Sequence, residues 1–353
     1  MKPTESTSRR TFLRNSVVAA AAVSSVSSIA QTLWGQPTSE PAPVFETPQS
    51  TREGDMLHRT LGKTGEKVSL IGLGGAHIGG RQSEADAIKL VRYAIDHGIT
   101  FMDNCWDYAN GNAEIRMGKA LLDGYRGKVF LMTKFDGRTK AAAAKQIDES
   151  LKRLQTDHVD LIQFHENVHM DDPDKFFAAG GAVEAVKEAK QAGKARYIGF
   201  TGHKDPAIHL KMLDMAAKND FRFDTVQMPL SVMDAHFKSF ERGVLPVLVK
   251  EQIGVLGMKS MGFGSIPRGG AVTAIECLHY AMNLPTSVVI TGMENTERVD
   301  QALQAVKTFN PLTRDQVATL LDRTRTAAMT GRFEPFKTGA GFDGTTRNPQ
   351  WMG

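Results

Sequence analysis

The sequence predicts a closed barrel of eight parallel β-strands, each followed by a helix: a single (β/α)8 TIM-barrel domain preceded by a signal peptide and a flexible linker. Two patterns predict it. From Val68 onward short apolar runs recur about every thirty residues, and each is followed by a longer amphipathic segment. The rival fold, a doubly wound sheet, needs a Gly-x-Gly-x-x-Gly turn after its first strand. Here the first apolar run leads into Gly72-Leu73-Gly74-Gly75-Ala76-His77, and the last required glycine is missing.

Taken in order, strands are expected at 69–72, 101–104, 129–133, 161–164, 197–200, 225–228, 255–258 and 287–291. Helices are expected at 83–97, 113–122, 140–154, 182–191, 206–218, 239–252, 271–282 and 296–306, with one more at 314–327. In the first of these Ala87, Leu90, Val91, Ala94 and Ile95 share one face and Ser83 can cap the start. The barrel should span 55–330, with a glycine-rich tail at 331–353.

The first thirty residues read differently. Ser8-Arg9-Arg10-Thr11-Phe12-Leu13-Arg14 precedes a short Ala/Ser-rich apolar run and a small-x-small site at Ser28 to Ala30. The run is too short to span a bilayer comfortably, so no stable membrane span is expected in the mature chain. The paired arginines resemble a twin-arginine signal, which implies the Tat export machinery as a partner and a periplasmic location. Residues 31–54, rich in Pro, Ser, Thr and Glu, read as a linker.

The formal charge is +4, but Lys2, Arg9, Arg10 and Arg14 stand against Glu5 alone in that leader. Without them 39 basic residues face 38 acidic ones, so the remainder has no basic excess with which to hold nucleic acid. Only Cys105 and Cys277 occur, far apart; neither a disulfide framework nor zinc-type cysteine spacing is present, and no metal is expected.

Reactive groups of such barrels sit at the C-terminal ends of strands. Strand two ends at Asp103 with Tyr108 in the following loop, strand three ends at Lys134, and strand four runs into His165. Asp103 and Lys134 would project inward at the same end, tolerable there as a pair. A phenol with a pKa of about 10 becomes a usable proton donor where an ammonium stabilises its phenolate. His165 could then hold a substrate carbonyl oxygen.

This Asp, Tyr, Lys and His set on an eight-stranded barrel resembles the aldo-keto reductases. The likeness covers roughly residues 56–309. It is carried by Arg59-Thr60-Leu61-Gly62-Lys63-Thr64-Gly65 before Gly72-Leu73-Gly74-Gly75, by Phe101-Met102-Asp103-Asn104-Cys105-Trp106-Asp107-Tyr108, and by Gly193-Lys194-Ala195-Arg196-Tyr197-Ile198-Gly199-Phe200. It implies hydride transfer between a nicotinamide nucleotide and a small-molecule aldehyde or ketone, with Tyr108 as general acid, Asp103 and Lys134 tuning it, and His165 orienting the carbonyl. It also places Gly75, Asp103, Thr201, Gln227, Met258, Lys259, Ser260, Met261, Gly262, Gly292, Met293, Thr296, Arg298 and Gln301 around the cofactor.

Departures from the family pattern are specific. Thr201-Gly202-His203 stands where Ser-Asn usually binds the carboxamide, and Met258 replaces a stacking aromatic residue. Glu294 occupies a position that is often basic, with Arg298 and Lys259 nearby. NADP(H) is favoured and NAD(H) is the alternative. A nucleotide-binding sensor or assembly subunit with little turnover is the competing function. Export further implies a cofactor loaded before transport and held tightly.

His165-Glu166-Asn167-Val168-His169 also matches the H-E-x-x-H pattern of zinc proteases, which requires a helix. It follows an apolar strand run and precedes Asp172-Pro173, so a strand leading into a loop is expected, with Glu166 and His169 lining the pocket mouth or solvated. His77, His203 and Cys105 fall near strand ends, positioned for substrate contact or packing.

Overall fold

The computed structural model describes residues 45–80 and 82–353. The expected signal peptide, 1–30, and most of the expected linker lie outside the described residues. A three-stranded antiparallel sheet comes first: β1 (Thr51–Glu53), β2 (Met56–Thr60) and β3 (Lys67–Ser69). Strand β1 pairs residue for residue with β2, and the Thr47 hydroxyl donates to the Asn283 carbonyl oxygen at 2.9 Å. The linker expected to reach residue 54 is therefore already structured over its last residues, because Thr51–Glu53 finds backbone partners in β2.

Eight parallel strands then close a barrel, as expected: β4 (Ile71–Gly74), β5 (Phe101–Asp103), β6 (Phe130–Phe135), β7 (Val159–Phe164), β8 (Ala195–Thr201), β9 (Thr225–Pro229), β10 (Gly254–Met258) and β11 (Val288–Gly292). The interleaved helices begin with Glu84–Asp96, where Ser83 caps the first turn by accepting from the Asp86 amide and the predicted apolar face is buried. Among the described residues no helix is long and apolar enough to cross a membrane.

Alternation along the strands organises the interior. Residues two apart share a face, so three inward columns climb from apolar to polar: Phe101 to Asp103, Phe130 through Met132 to Lys134, and Leu161 through Gln163 to His165, while Leu256 leads to Met258. The lower positions form one buried cluster with Val288, Ile290 and the hairpin residues Leu61 and Val68, in which the Phe101 and Phe130 rings stack at 5.3 Å. Removal of this apolar surface from water drives closure. The polar residues are thereby delivered together to the C-terminal mouth.

The tail beyond the barrel is ordered. Residues 331–353 form short helices at Pro335–Thr338 and Gly344–Arg347 and a 3-10 turn at Pro349–Trp351. Backbone bonds from Arg138 and Thr139 to the Met352 carbonyl oxygen, at 2.8 and 3.3 Å, fasten its end beside the strand-end loops.

Candidate active site

Strand β5 terminates at Asp103, β6 carries Lys134 next to its last residue, and His165 follows β7 directly. The Lys134 ammonium is 1% exposed. It donates to the Asp103 carboxylate in a short ion pair, to the Asn104 carbonyl oxygen at 2.8 Å and to the Tyr108 hydroxyl oxygen at 3.2 Å, so all its protons are used. The second Asp103 oxygen accepts from Gln227 Nε2 across the lumen at 3.2 Å. This buried pair is tolerable because every charge in it is compensated.

Tyr108 reaches Lys134 through a shaped loop. Trp106 donates its amide to the Lys134 carbonyl oxygen at 3.0 Å and its indole N–H to Glu149 at 2.7 Å. Beyond Tyr108 the chain passes through three left-handed residues, Ala109, Asn110 and Gly111, before the helix Asn112–Ala120. Burial first and then the Asp103 charge hold the Tyr108 phenol well above its usual pKa. The Lys134 ammonium expected to bring it down does not reverse this, and Tyr108 is a neutral, protonated donor at physiological pH.

His165 has partners that sequence reasoning missed. Its Nδ1 lies 2.9 Å from Asp136 Oδ1, 3.2 Å from Cys105 Sγ and 3.8 Å from Asp107 Oδ1. Burial depresses the imidazole, but Asp136 and then Asp107 outweigh it, and its pKa is raised. Its ring stands edge-on to Tyr108, with 5.9 Å between centroids, and Nε2 is the nitrogen left for a substrate. The one signal available was position: Asp136 lies two residues beyond Lys134 and alternation carries it to the same end.

The ends of β8, β9 and β10 bring Thr201, Gln227 and Met258 together. Thr201 pairs with Gln227 in register, and its hydroxyl lies 4.0 Å from the Met258 sulfur. Gln227 Oε1 and Ser260 Oγ are buried without a hydrogen-bond partner. Unpaired buried polar atoms are costly, and an acceptor and a hydroxyl waiting at the barrel mouth suit the amide and phosphate groups of a nucleotide. Ser260 sits in a turn that passes through positive φ at Lys259 and Gly262, with Met261 beside it.

The structure places the other expected cofactor residues as follows. A Cβ on Gly75 would collide with the Asp103 carbonyl oxygen, and one on Gly292 would collide with the ring of the exposed His77, so both glycines permit a close approach. Met293 is wholly buried. Thr296, Arg298 and Gln301 lie on the first turns of the helix Thr296–Thr308, where Arg298 pairs with Glu294 at 3.6 Å and with Gln301 at 3.2 Å. The Lys259 ammonium sits over the rings of Phe263, Phe336 and Phe342, at 4.2, 5.4 and 5.3 Å, and burial followed by the Lys134 charge lowers its pKa to about 8.

No helix carries the H-E-x-x-H stretch: it leaves β7 as a loop, as expected. Glu166, however, is buried rather than solvated. Its carboxylate accepts from the Gly344 amide, the Thr345 amide and the Thr345 hydroxyl at 2.8, 2.7 and 2.8 Å, while His169 bonds to Thr346 at 3.0 Å. His203 is buried against the Phe336 carbonyl oxygen, and burial holds its imidazole well below its usual pKa.

Known proteins resemble this chain in sequence and in fold. The sequence pattern of the aldo/keto reductase family matches residues 70–276. Aldo-keto reductase YhdN of Bacillus subtilis is 31% identical over 233 residues, covering 61% of this chain and 63% of that relative, so this chain spans less than two thirds of its length. L-galactose dehydrogenase of Arabidopsis thaliana is 28% identical over 305 residues, covering 73% of this chain and 90% of that one. In structure the chain is similar to the holo form of aldo-keto reductase AKR11C1 from Bacillus halodurans, with a TM-score of 0.64 and 24% identity over 76% of this chain and 96% of the other. With more than half its length matched and its polar tetrad assembled at the mouth of a closed barrel, this chain belongs to the aldo/keto reductase family, whose members are NAD(P)H-dependent oxidoreductases.

Proposed function

We propose that this chain transfers a hydride reversibly between a nicotinamide nucleotide and the carbonyl carbon of a small aldehyde or ketone, with Tyr108 moving the matching proton. The observation that carries the reading is the Lys134 ammonium held between the Asp103 carboxylate and the Tyr108 oxygen. A bound nucleotide supplies the hydride. In the direction of reduction Tyr108 gives its proton to the carbonyl oxygen, and Lys134 faces the phenolate charge as it develops. His165, fixed at Nδ1, offers Nε2 to the same oxygen.

Thr201, Gln227 and Ser260 would hold the nucleotide. NADP(H) is favoured over NAD(H) because Arg298 and Lys259 are the cations near the expected phosphate end, and the pairing of Arg298 with Glu294 would keep the preference small. Fluorescence titration with NADPH and NADH, followed by a carbonyl panel on wild type and Tyr108→Phe, tests the reading. Binding with turnover that the substitution abolishes supports it. Binding with no turnover on any carbonyl favours a sensor or assembly subunit instead, and absence of binding defeats both.

We propose further that residues 1–30 direct Tat export to the periplasm with the nucleotide already loaded. The Arg9-Arg10 pair ahead of its apolar run supports this, and both cysteines of the barrel are free and buried, so its stability draws nothing from an oxidising compartment. Fractionation of cells expressing the paired Arg9→Lys and Arg10→Lys variant should find it retained in the cytoplasm; unchanged appearance in the periplasm would sink the proposal.

A further inference from the structure

The Nδ1 side of His165 faces a group of side chains that the proton-transfer scheme does not explain. Cys105 Sγ, one oxygen each from Asp107 and Asp136, and His165 Nδ1 all lie within 4.8 Å of one another. Cys105 and Asp136 are wholly buried, His165 is nearly so, and the Asp107 side chain is 15% exposed.

Protons alone satisfy this cluster poorly. A hydrogen on Nδ1 can serve Asp136 Oδ1, yet Asp136 Oδ2 and Asp107 Oδ1 remain buried with no hydrogen-bond partner. Apart from the His165 imidazole, which both carboxylates share, no cation among the described residues bonds to them. Lys134 is spent on Asp103, Asn104 and Tyr108. Arg138, the adjacent guanidinium, donates to the backbone oxygens of Asp136, His165 and Glu166 and to the Asp172 carboxylate. One buried and one mostly buried carboxylate thus share one imidazole and one thiol, an arrangement whose cost falls when a single cation is placed among them.

We propose that Cys105 Sγ, Asp107, Asp136 and His165 Nδ1 bind one divalent transition-metal ion of the zinc class. The donor set of one sulfur, one nitrogen and two oxygens suits such an ion, and ligands at zinc distances in a tetrahedron stand about 3.3–3.7 Å apart. The separations of 3.2 Å (Cys105 to His165), 2.9 Å (Asp136 to His165) and 3.8 Å (Asp107 to His165) bracket that range. Binding would release the Cys105 thiol proton to solvent. The partly exposed Asp107 marks the side of entry. The ion would fix the His165 tautomer with its proton on Nε2, toward the substrate. The site is independent of turnover, so it can fail while the reductase reading stands.

The test uses the purified full chain, incubated with zinc or cobalt(II) chloride and exchanged into metal-free buffer. Elemental analysis should find about one ion per chain in the wild type, with at least tenfold less in Cys105→Ser and in Asp136→Asn, each checked for folding by circular dichroism. The cobalt form should show a thiolate-to-metal charge-transfer band that Cys105→Ser removes. Wild type that retains no metal, cobalt bound without that band, or retention unchanged by both folded variants overturns the proposal. Should neither variant fold, the wild-type stoichiometry and band decide alone.

Discussion

Glu166→Gln should loosen the tail from the mouth of the barrel. The Glu166 carboxylate is 4% exposed and accepts three hydrogen bonds, one at Oε1 from the Gly344 amide and two at Oε2 from the amide and hydroxyl of Thr345. The amide side chain can keep the first, but its NH2 group then faces the two Thr345 donors. Hydrogen bonds to charged groups contribute about 1.5–3 kcal/mol each, and abandoned buried donors cost a similar amount. Other ties of the tail, among them Lys204 to Asp343 at 2.7 Å and the Met352 carbonyl to Arg138, are untouched, so the full sum should not appear. A net cost of about 3 kcal/mol corresponds to roughly 100-fold in the opening equilibrium. Native-state hydrogen exchange reads this directly: protection at Gly344 and Thr345 should fall by about that factor while amides of β6 and β7 keep theirs. Protection at 344–345 within threefold of wild type, in a folded variant, would refute the claim that Glu166 holds the tail.

Two further predictions concern buried charge. Lys134→Met leaves the Asp103 carboxylate with only Gln227 as partner. It should destabilise the barrel by about 3–5 kcal/mol in denaturant unfolding and abolish carbonyl reduction, and unchanged stability would show that the pair is not energetically coupled. Glu241 is buried and accepts from the Tyr280 hydroxyl at 2.7 Å, and burial raises its pKa to about 8. The folded state thus keeps a proton that the unfolded state releases above its ordinary carboxyl pKa, so the stability Glu241 contributes at low pH is lost as pH rises from about 4.5 to 8. Glu241→Gln should therefore change the melting temperature little at pH 4.5 and raise it by about 3 °C or more at pH 8; a difference independent of pH would contradict this assignment.

How far the site was legible follows from the range of each signal. Asp103, Tyr108, Lys134 and His165 could be found because each sits at or just past the end of an apolar run, and the barrel brings all such ends to one rim. Asp136 and Asp107 lie on the same loops but were given no role, since nothing local distinguishes a carboxylate turned toward His165 from one turned to water. Glu166 was assigned to the pocket mouth or to solvent; its partners, Gly344 and Thr345, lie 178 and 179 positions away. Lys259 was grouped with Arg298 as a phosphate ligand, whereas two of the three rings around its ammonium come from the tail.

By itself the sequence determined the strand and helix periodicity, the closure into a barrel and the tetrad, because these rest on alternation and amphipathicity, which repeat over a few residues. Tertiary structure alone decided which nitrogen of His165 is engaged, that Cys105, Asp107 and Asp136 converge on it, and that residues 331–353 fold back over the mouth. Those outcomes depend on the separation and direction of side chains from segments far apart in the chain, and such distances are set only when the barrel closes.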